Sequence, residues 1–371
     1  MTECVLCVDI GTTSLKAGLI SANGEVVSFC THKFLFPHSR HIAKTWICSL
    51  KKQIKKINSD CKKNQVKILA LSISGNGPTV VTQNGFTVRW NQEYKVQKER
   101  VKSSLFMPKI LELKERFPKE YNKTAFIFSG PEYLIYKLTR NAVTILPEKR
   151  FVPAYWDDEL LNAQNIPLSK LPPFYSIGQK YGEVKKEVID YLGLDVECAE
   201  PLPVFGAGPD FVAALIGTNT LEPGKICDRS GSSEGYNFCI PRFISYPGLR
   251  TLPSVMSEYW NISALIPNSS KLNRKKRIAK IKQNIALLKK MAEENKLEFP
   301  KSFTSTGGQT KDKKWMEMKA RELNIRLLVS SSASSELFGD AAVAWFALGK
   351  YKTLEQAAQS IFKEDIIYEN I

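Results

Sequence analysis

The chain opens with two short apolar runs, within residues 5–20, on either side of a polar knot made of Asp9, Gly11, Thr12, Thr13 and Ser14. Apolar runs of strand length flanking a small polar turn predict a β-hairpin. Asn23-Gly24 is a strong two-residue turn signal, so residues 25–30 are expected to return antiparallel as a third strand. From Ser39 the apolar positions Ile42, Trp46, Leu50, Ile54 and Ile57 recur at three- and four-residue steps, the period of an amphipathic helix with a basic outer face. Residues 66–74 then read as a buried strand that ends at Gly75, Asn76, Gly77 and Pro78. This order of three strands, a helix and a strand differs from a dinucleotide-binding fold, in which a glycine-rich turn leads straight into a helix.

Residues 79–90 carry a second hairpin pattern around Asn84-Gly85, followed by a charged helix. Residues 105–117 and 131–139 read as helices, the second with Pro131 in its first turn, and 156–161 as a short helix whose acidic start suits the helix dipole. At residues 203–217 a strand runs through a glycine turn into a small-residue helix with Asp210 at its N-terminus. Residues 225–230 form the next expected strand, and Gly231, Ser232 and Ser233 a hydroxyl-rich bend. Gly307 and Gly308 precede a helix over 312–323 and a strand over 325–329, and a helix packed with small residues, Gly339 among them, begins at Ser335. Within 271–296, Ile278, Ile281, Ile285, Leu288 and Met291 make an apolar stripe opposite lysines and arginines. The plain expectation is a surface helix covering the second half of the chain; docking of a partner, a membrane or nucleic acid is the other reading.

With 371 residues, 43% of them hydrophobic, the chain is long enough for two or three domains with real cores. It has no run of about 18 apolar residues and no basic start leading to an apolar segment and a small-residue cleavage site, so the expected location is cytoplasmic. The eight cysteines are scattered, as core thiols are rather than a disulfide framework. Cys4 and Cys7 make a CxxC, but a strand there points them to opposite faces, against shared metal or redox use. The net charge of +16 is concentrated in residues 51–67 and 271–290, and no recognised nucleic-acid module accompanies it, so the basic faces read as solvated surface.

Two places carry candidate chemistry. In the knot, Gly11 permits close backbone approach, the hydroxyls and turn amides can hold phosphate oxygens, and Asp9 can hold a hydrated Mg²⁺. The bland reading is an ordinary polar turn. Asp210 either caps its helix, for which aspartate is among the favoured residues, or stands as a general base at the carboxyl end of a strand. The residues alone leave both open.

Taken in order, these segments resemble the FGGY carbohydrate kinases, the sugar and polyol kinases of the actin-like ATPase superfamily, most nearly the xylulokinase type. The hairpin Asp9 to Ser14 is similar to the family's first phosphate motif, and Gly206, Gly208 and Asp210 with Ala213, Ala214 and Gly217 to its catalytic-aspartate motif. Gly231, Ser232 and Ser233 resemble the second phosphate turn, and Gly307-Gly308 with Trp315 and Leu323 the adenosine motif. The resemblance implies an α/β fold of two ribonuclease-H-like domains around a central cleft, residues 1–217 forming the N-terminal domain and 218–371 a shortened C-terminal domain. It further implies ATP held by Gly11, Thr12, Thr13, Ser14, Gly231, Ser232, Ser233, Gly307, Gly308 and Gly339, and Mg²⁺ by Asp9 and Asp210. Asp210 would accept the proton of a sugar or polyol hydroxyl that attacks the γ-phosphorus, and Asn76 and Gly77 would face that substrate. A homodimer stays open.

Departures accompany the resemblance. Xylulokinase-type members carry Gln-Met-His where Asn76, Gly77 and Pro78 stand, and Trp-Asn-Asp-x-Arg where this chain has Trp90 to Tyr94 without the aspartate and arginine. Their Thr-Asp becomes Thr144-Ile145, and Glu234 replaces a glycine beside the second phosphate turn, an adverse charge unless it points away or binds metal. The segment between Trp260 and Thr304 is shortened. Two classes therefore remain: an active ATP-dependent kinase of a small sugar or polyol, and a non-catalytic or regulatory relative that binds nucleotide or sugar without turnover.

Overall fold

The computed structural model describes residues 1–195, 201–330 and 334–369. β1 (Thr2–Ile10), β2 (Ser14–Ser21) and β3 (Val26–Lys33) form an antiparallel meander, and β4 (Val66–Gly75) lies parallel to β1. Between β3 and β4 the helix Trp46–Asn64 buries Trp46, Leu50, Ile54 and Ile57. It starts later than its periodicity suggests, because Ile42–Thr45 forms a separate 3₁₀ turn.

β5 (Val80–Thr82) and β6 (Thr87–Val88) make the second hairpin, and β7 (Ile127–Ser129) pairs with β5. The expected charged helix is a single turn, Lys98–Val101. The helices Met107–Arg116 and Gly130–Thr139 form, and Asp158–Ala163 is capped by Asp157, whose side chain accepts the Leu160 N–H at 2.7 Å. β8 (Thr144–Leu146) and β9 (Phe174–Ser176) make a parallel pair. β10 (Val204–Pro209) completes the first sheet in the order β10-β4-β1-β2-β3.

The second sheet runs β13-β14-β12-β11-β15-β16-β17. In chain order these are β11 (Ile226–Ser230), β12 (Glu234–Ile240), β13 (Arg250–Pro253), β14 (Trp260–Ile266), β15 (Ser302–Thr306), β16 (Arg326–Val329) and β17 (Ile366–Tyr368). Two helices, Arg274–Glu294 and Lys313–Leu323, bury Ile281, Ile285, Leu288, Met291 and Trp315 in a core with Phe303 and Tyr236. The apolar stripe of the lysine-rich segment is therefore core, at about 1.5–3 kcal/mol for each fully buried aliphatic side chain. Ile278 is only partly buried.

The helices Ser335–Ala347 and Leu354–Ile361 come from the end of the chain yet pack on the first sheet, sharing a core with Val5, Cys7, Ile20, Phe205 and Ala213. The chain's end is thus interlocked with its beginning. Where Ser335–Ala347 crosses Asp210–Gly217 the backbones touch: a Cβ on Gly217 would lie 1.8 Å from the Ser335 carbonyl oxygen, and one on Gly339 2.0 Å from that of Ala213. Cys4 and Cys7 point to opposite faces of the first sheet, into different cores. Burial pushes the Cys4 thiol up to about 12, which suits a packing role. Cys198 lies outside the described residues. Among the described residues no helix is long and apolar enough to cross a membrane.

Candidate active site

Strand alternation sets one wall of the site. On β1, Val5 and Cys7 face the core shared with the C-terminal helices, so Asp9 follows on the same face. Asp9 stands opposite Lys16 on β2 and beside Ser74 on β4, at the carboxyl ends of β1 and β4. Lys16 Nζ lies 2.9 Å from Asp9 Oδ2 and 3.6 Å from Glu336 Oε2, at the start of the Ser335–Ala347 helix. Burial pulls the Lys16 ammonium down, but Asp9 and Glu336 outweigh it and hold the group above its ordinary value. Burial raises Asp9, against the pull of Lys16. One turn further along the helix, Asp340 accepts the Ser74 hydroxyl at 2.8 Å, and burial raises its carboxyl well above the usual range.

The hairpin tip closes through Gly11 N–H donating to the Ser14 carbonyl at 2.9 Å. Thr13 is exposed, Thr12 and Ser14 are half-buried, and the Trp90 indole donates to Thr12 Oγ1 at 3.4 Å. The turn after β4 is hung on the hairpin by Asn76 N–H donating to the Ile10 carbonyl at 2.8 Å. Asn76 is buried with Oδ1 lacking a hydrogen-bond partner, and a Cβ on Gly77 would lie 3.3 Å from Pro209 Cβ. The turn expected at the sugar therefore abuts the one that carries Asp210.

Pro209 occupies the cap position and Asp210 is the first helical residue, so its carboxylate does not serve as the cap. It faces Arg229 of β11, with Arg229 Nη2 3.5 Å from Asp210 Oδ1 and each side chain 28% exposed. Burial at the bottom of the cleft pushes Asp210 up to about 6; Arg229 opposes this and Asp9 adds to it. A carboxylate so poised can take a proton near neutral pH.

The second wall comes from the other sheet. Gly231 N–H donates to the Ser233 carbonyl at 3.1 Å, forming a tight bend between β11 and β12. Gly307 has φ +100, and a Cβ there would lie 2.5 Å from the Ser230 carbonyl oxygen, so the two glycine turns are in backbone contact. Gln309 donates to the Gly231 carbonyl and in turn accepts from Arg277 Nη1 at 2.7 Å. The segment after β14 supports the same bend, with Ser270 N–H on the Ser232 carbonyl at 3.1 Å and Asn268 N–H on Ser233 Oγ at 3.0 Å. Gly308, which is exposed, has open space beside it.

Glu234 points away from this bend. It is fully buried beneath it, bonded to Lys319, whose Nζ also reaches Asp228 Oδ2 at 2.7 Å and Ser230 Oγ at 2.8 Å. Ser305 and Tyr236 bond the same carboxylates at 2.7 and 3.0 Å. The adverse charge read from sequence is thus paired from below, one lysine offsetting part of two carboxylates, in an ion cluster that fixes both ends of the turn.

Asp9, Asn76, Gly77 and Asp210 come together, as do Gly231, Ser232, Ser233, Gly307 and Gly308 with one another. Gly339 instead sits buried in the helix crossing, where its missing side chain serves backbone contact. Sequence reasoning missed Lys16, Arg229, Glu336 and Lys319. For Lys16 the signal available was a lone charge inside an otherwise strand-like run; Glu336 and Lys319 lie in helices and Arg229 follows Asp228. Among the described residues no group of three or more His, Cys, Asp or Glu side chains is set to hold a metal ion. Asp9 Oδ1 is buried without a hydrogen-bond partner, a donor that fits a hydrated cation arriving with a ligand.

Residues 87–217 match the family model of the FGGY family of carbohydrate kinases, N-terminal domain. The chain is 23% identical over 262 residues to a xylulose kinase of Staphylococcus xylosus, covering 62% of this chain and 53% of that protein. To a xylulose kinase of Staphylococcus epidermidis it is 21% identical over 467 aligned positions, covering 99% of this chain and 92% of the other. The crystal structure of a ligand-bound xylulose kinase from Lactobacillus acidophilus superposes with a TM-score of 0.76 at 16% identity, covering 99% and 94%. The fold is thus that of kinases with two actin-like, ribonuclease-H-like domains, and the family model, the relatives and the fold agree. The chain is similar to the FGGY family of carbohydrate kinases, by the family match over residues 87–217 and by its relatives and fold.

Proposed function

We propose that this chain is an ATP-dependent phosphotransferase acting on a hydroxyl of a small, xylulose-like sugar or polyol, in the cytoplasm. The observation that carries the reading is the meeting of Asp9, Lys16, Glu336, Asp210 and Arg229 between the two sheets, at the carboxyl ends of β1, β4, β10 and β11. The domain division falls at residue 217, with the C-terminal helices bridging back to the first sheet.

In this reading the Gly11–Ser14 tip and the Gly231–Ser233 bend hold the phosphates, and Gly307-Gly308 the adenosine. Asp9 and Asp210 hold Mg²⁺, which supplies charge neutralisation on the phosphates. Lys16 balances Asp9 and lowers the repulsion an entering anion meets. Asp210 takes the proton of the attacking hydroxyl, and Asn76 and Gly77 position that hydroxyl next to it. The basic helix Arg274–Glu294 supports the nucleotide loops through the bond from Arg277 to Gln309.

A panel of small sugars and polyols incubated with Mg-ATP tests this, with ADP release and sugar phosphate both measured. One specific observation favours a second reading, a regulatory relative that binds without turnover: Arg229 already pairs with the base. Nucleotide affinity without product from any member of the panel would support that alternative.

A further inference from the structure

Arg229 has a place that the resemblance does not assign. On β11, Ile226, Asp228 and Ser230 point into the second domain's core, which leaves Cys227 and Arg229 on the face toward the Asp210–Gly217 helix. The residues on either side of Arg229 are locked, since Asp228 and Ser230 both bond the fully buried Lys319. The bend that begins at Gly231 follows two residues later. Arg229 is therefore a long cation on a rigid strand, aimed across the cleft from the second domain to the first.

Its target is a cluster of carboxylates. Nη2 lies 3.5 Å from Asp210 Oδ1, and the guanidinium also draws down Asp9 and Glu336 electrostatically. A guanidinium has five N–H donors, and its contact with Asp210 is an ion pair rather than a close hydrogen bond. If Asp210 bonds the attacking hydroxyl, that oxygen sits about 3 Å from the base and about 3–3.5 Å from the phosphorus it attacks. A long cation paired with the base at 3.5 Å is then within reach of the phosphoryl oxygens.

We propose that Arg229 is a catalytic residue that exchanges Asp210 for the non-bridging oxygens of the transferring phosphoryl group when the cleft is loaded, clamping it from the second domain. The proposal rests on the reading of Asp210 as general base. In the step it serves, the sugar oxygen–phosphorus bond forms, the bond from phosphorus to the β–γ bridging oxygen breaks with its electron pair leaving on ADP, and the hydroxyl proton passes to Asp210. Arg229 forms and breaks no covalent bond. It stabilises charge on the moving group and, by leaving Asp210, frees the base.

The test is the affinity of the intact protein for Mg-ATP and for Mg-ADP by calorimetry, in wild type, Arg229→Gln and Arg229→Lys. Steady-state kcat and sugar KM are measured alongside. Loss of a charge-assisted contact predicts that Arg229→Gln binds Mg-ATP about 10-fold or more weakly while Mg-ADP affinity is unchanged, which also shows the variant is folded. kcat is expected to fall by about 10³ with sugar KM nearly constant, and Arg229→Lys to recover part of both, since it keeps the charge and loses the fork. Equal changes for ATP and ADP in both variants, or a rise in sugar KM with ATP affinity intact, would overturn the proposal, the latter assigning Arg229 to an anionic sugar instead. If wild type turns over no sugar, the function proposed above fails, whereas the ATP-to-ADP comparison still reads the Arg229 contact.

Discussion

At the residue scale, charge decides the site, and two carboxyls make opposite use of burial. Asp210 is raised to about 6 and stays partly open to the cleft. A base acts only when deprotonated, so kcat/KM is predicted to fall below about pH 6, about two units above where an ordinary aspartate would lose activity. An acid limb near pH 4 would show that Asp210 is not the titrating base. Asp340 is fully buried, and its raised carboxyl holds its proton more tightly in the folded state than in the unfolded one. Stability therefore declines as pH rises from the ordinary aspartate value toward the folded one, because the unfolded chain gives up the proton first. Asp340→Asn cannot ionise and keeps an acceptor for Ser74. Its melting temperature should match or exceed wild type at pH 8 and lose that advantage at pH 5; an equal drop at both would exclude the titration. Neither Asp340 nor Lys16 was legible in the sequence as a partner. A charged residue in a strand or a helix reads as solvated until the facing element is known, and Glu336 and Ser74 lie hundreds of positions away from theirs.

At the scale of elements, the hairpin and the strand-turn-helix before Asp210 were legible because each is local: an apolar period, a glycine turn, a change of period. The Gly231–Ser233 bend was visible as glycine and serine, but what holds it was not. Lys319, in the helix after the Gly307-Gly308 turn, pairs with both Glu234 and Asp228 from another element, so Glu234 looked like a defect. Gly307 carries the join of the two turns, with positive φ and no room for a side chain. Gly307→Ala is expected to weaken nucleotide binding about 10-fold or more by displacing Ser230 and Gly231, at a strain cost of roughly 1–3 kcal/mol; wild-type affinity in a folded variant would show that the turn takes no part. The lysine-rich helix makes the opposite point. Its stripe was legible, and its support of Gln309 through Arg277 was not. Leu288→Ala should cost about 2–5 kcal/mol as a buried cavity, read by denaturant unfolding. A loss under about 0.5 kcal/mol would mean the helix is a detachable surface element.

At the scale of the whole molecule, contacts among the described residues tie distant parts of the chain together. Ser335–Ala347 crosses Asp210–Gly217 at a glycine seam, Arg229 reaches Asp210, and Arg150 of the first half donates to the Met256 and Tyr259 carbonyls at 2.8 and 3.1 Å while lying over Trp260. The order of motifs carried the fold class, since their co-occurrence is more specific than any one of them. It did not carry the packing of the chain's last helices on the first sheet, because that depends on glycines whose surroundings are distant in sequence. Phosphorus NMR of wild type and Asp210→Asn, each with Mg-ATP and a panel of small sugars and polyols, tests most directly whether Asp210 deprotonates a sugar hydroxyl for phosphoryl transfer. Wild type is expected to form one sugar monophosphate in step with ADP, and Asp210→Asn none while nucleotide binding persists. Full product from Asp210→Asn, or bound ATP with no phosphorylated sugar from wild type, would contradict that role.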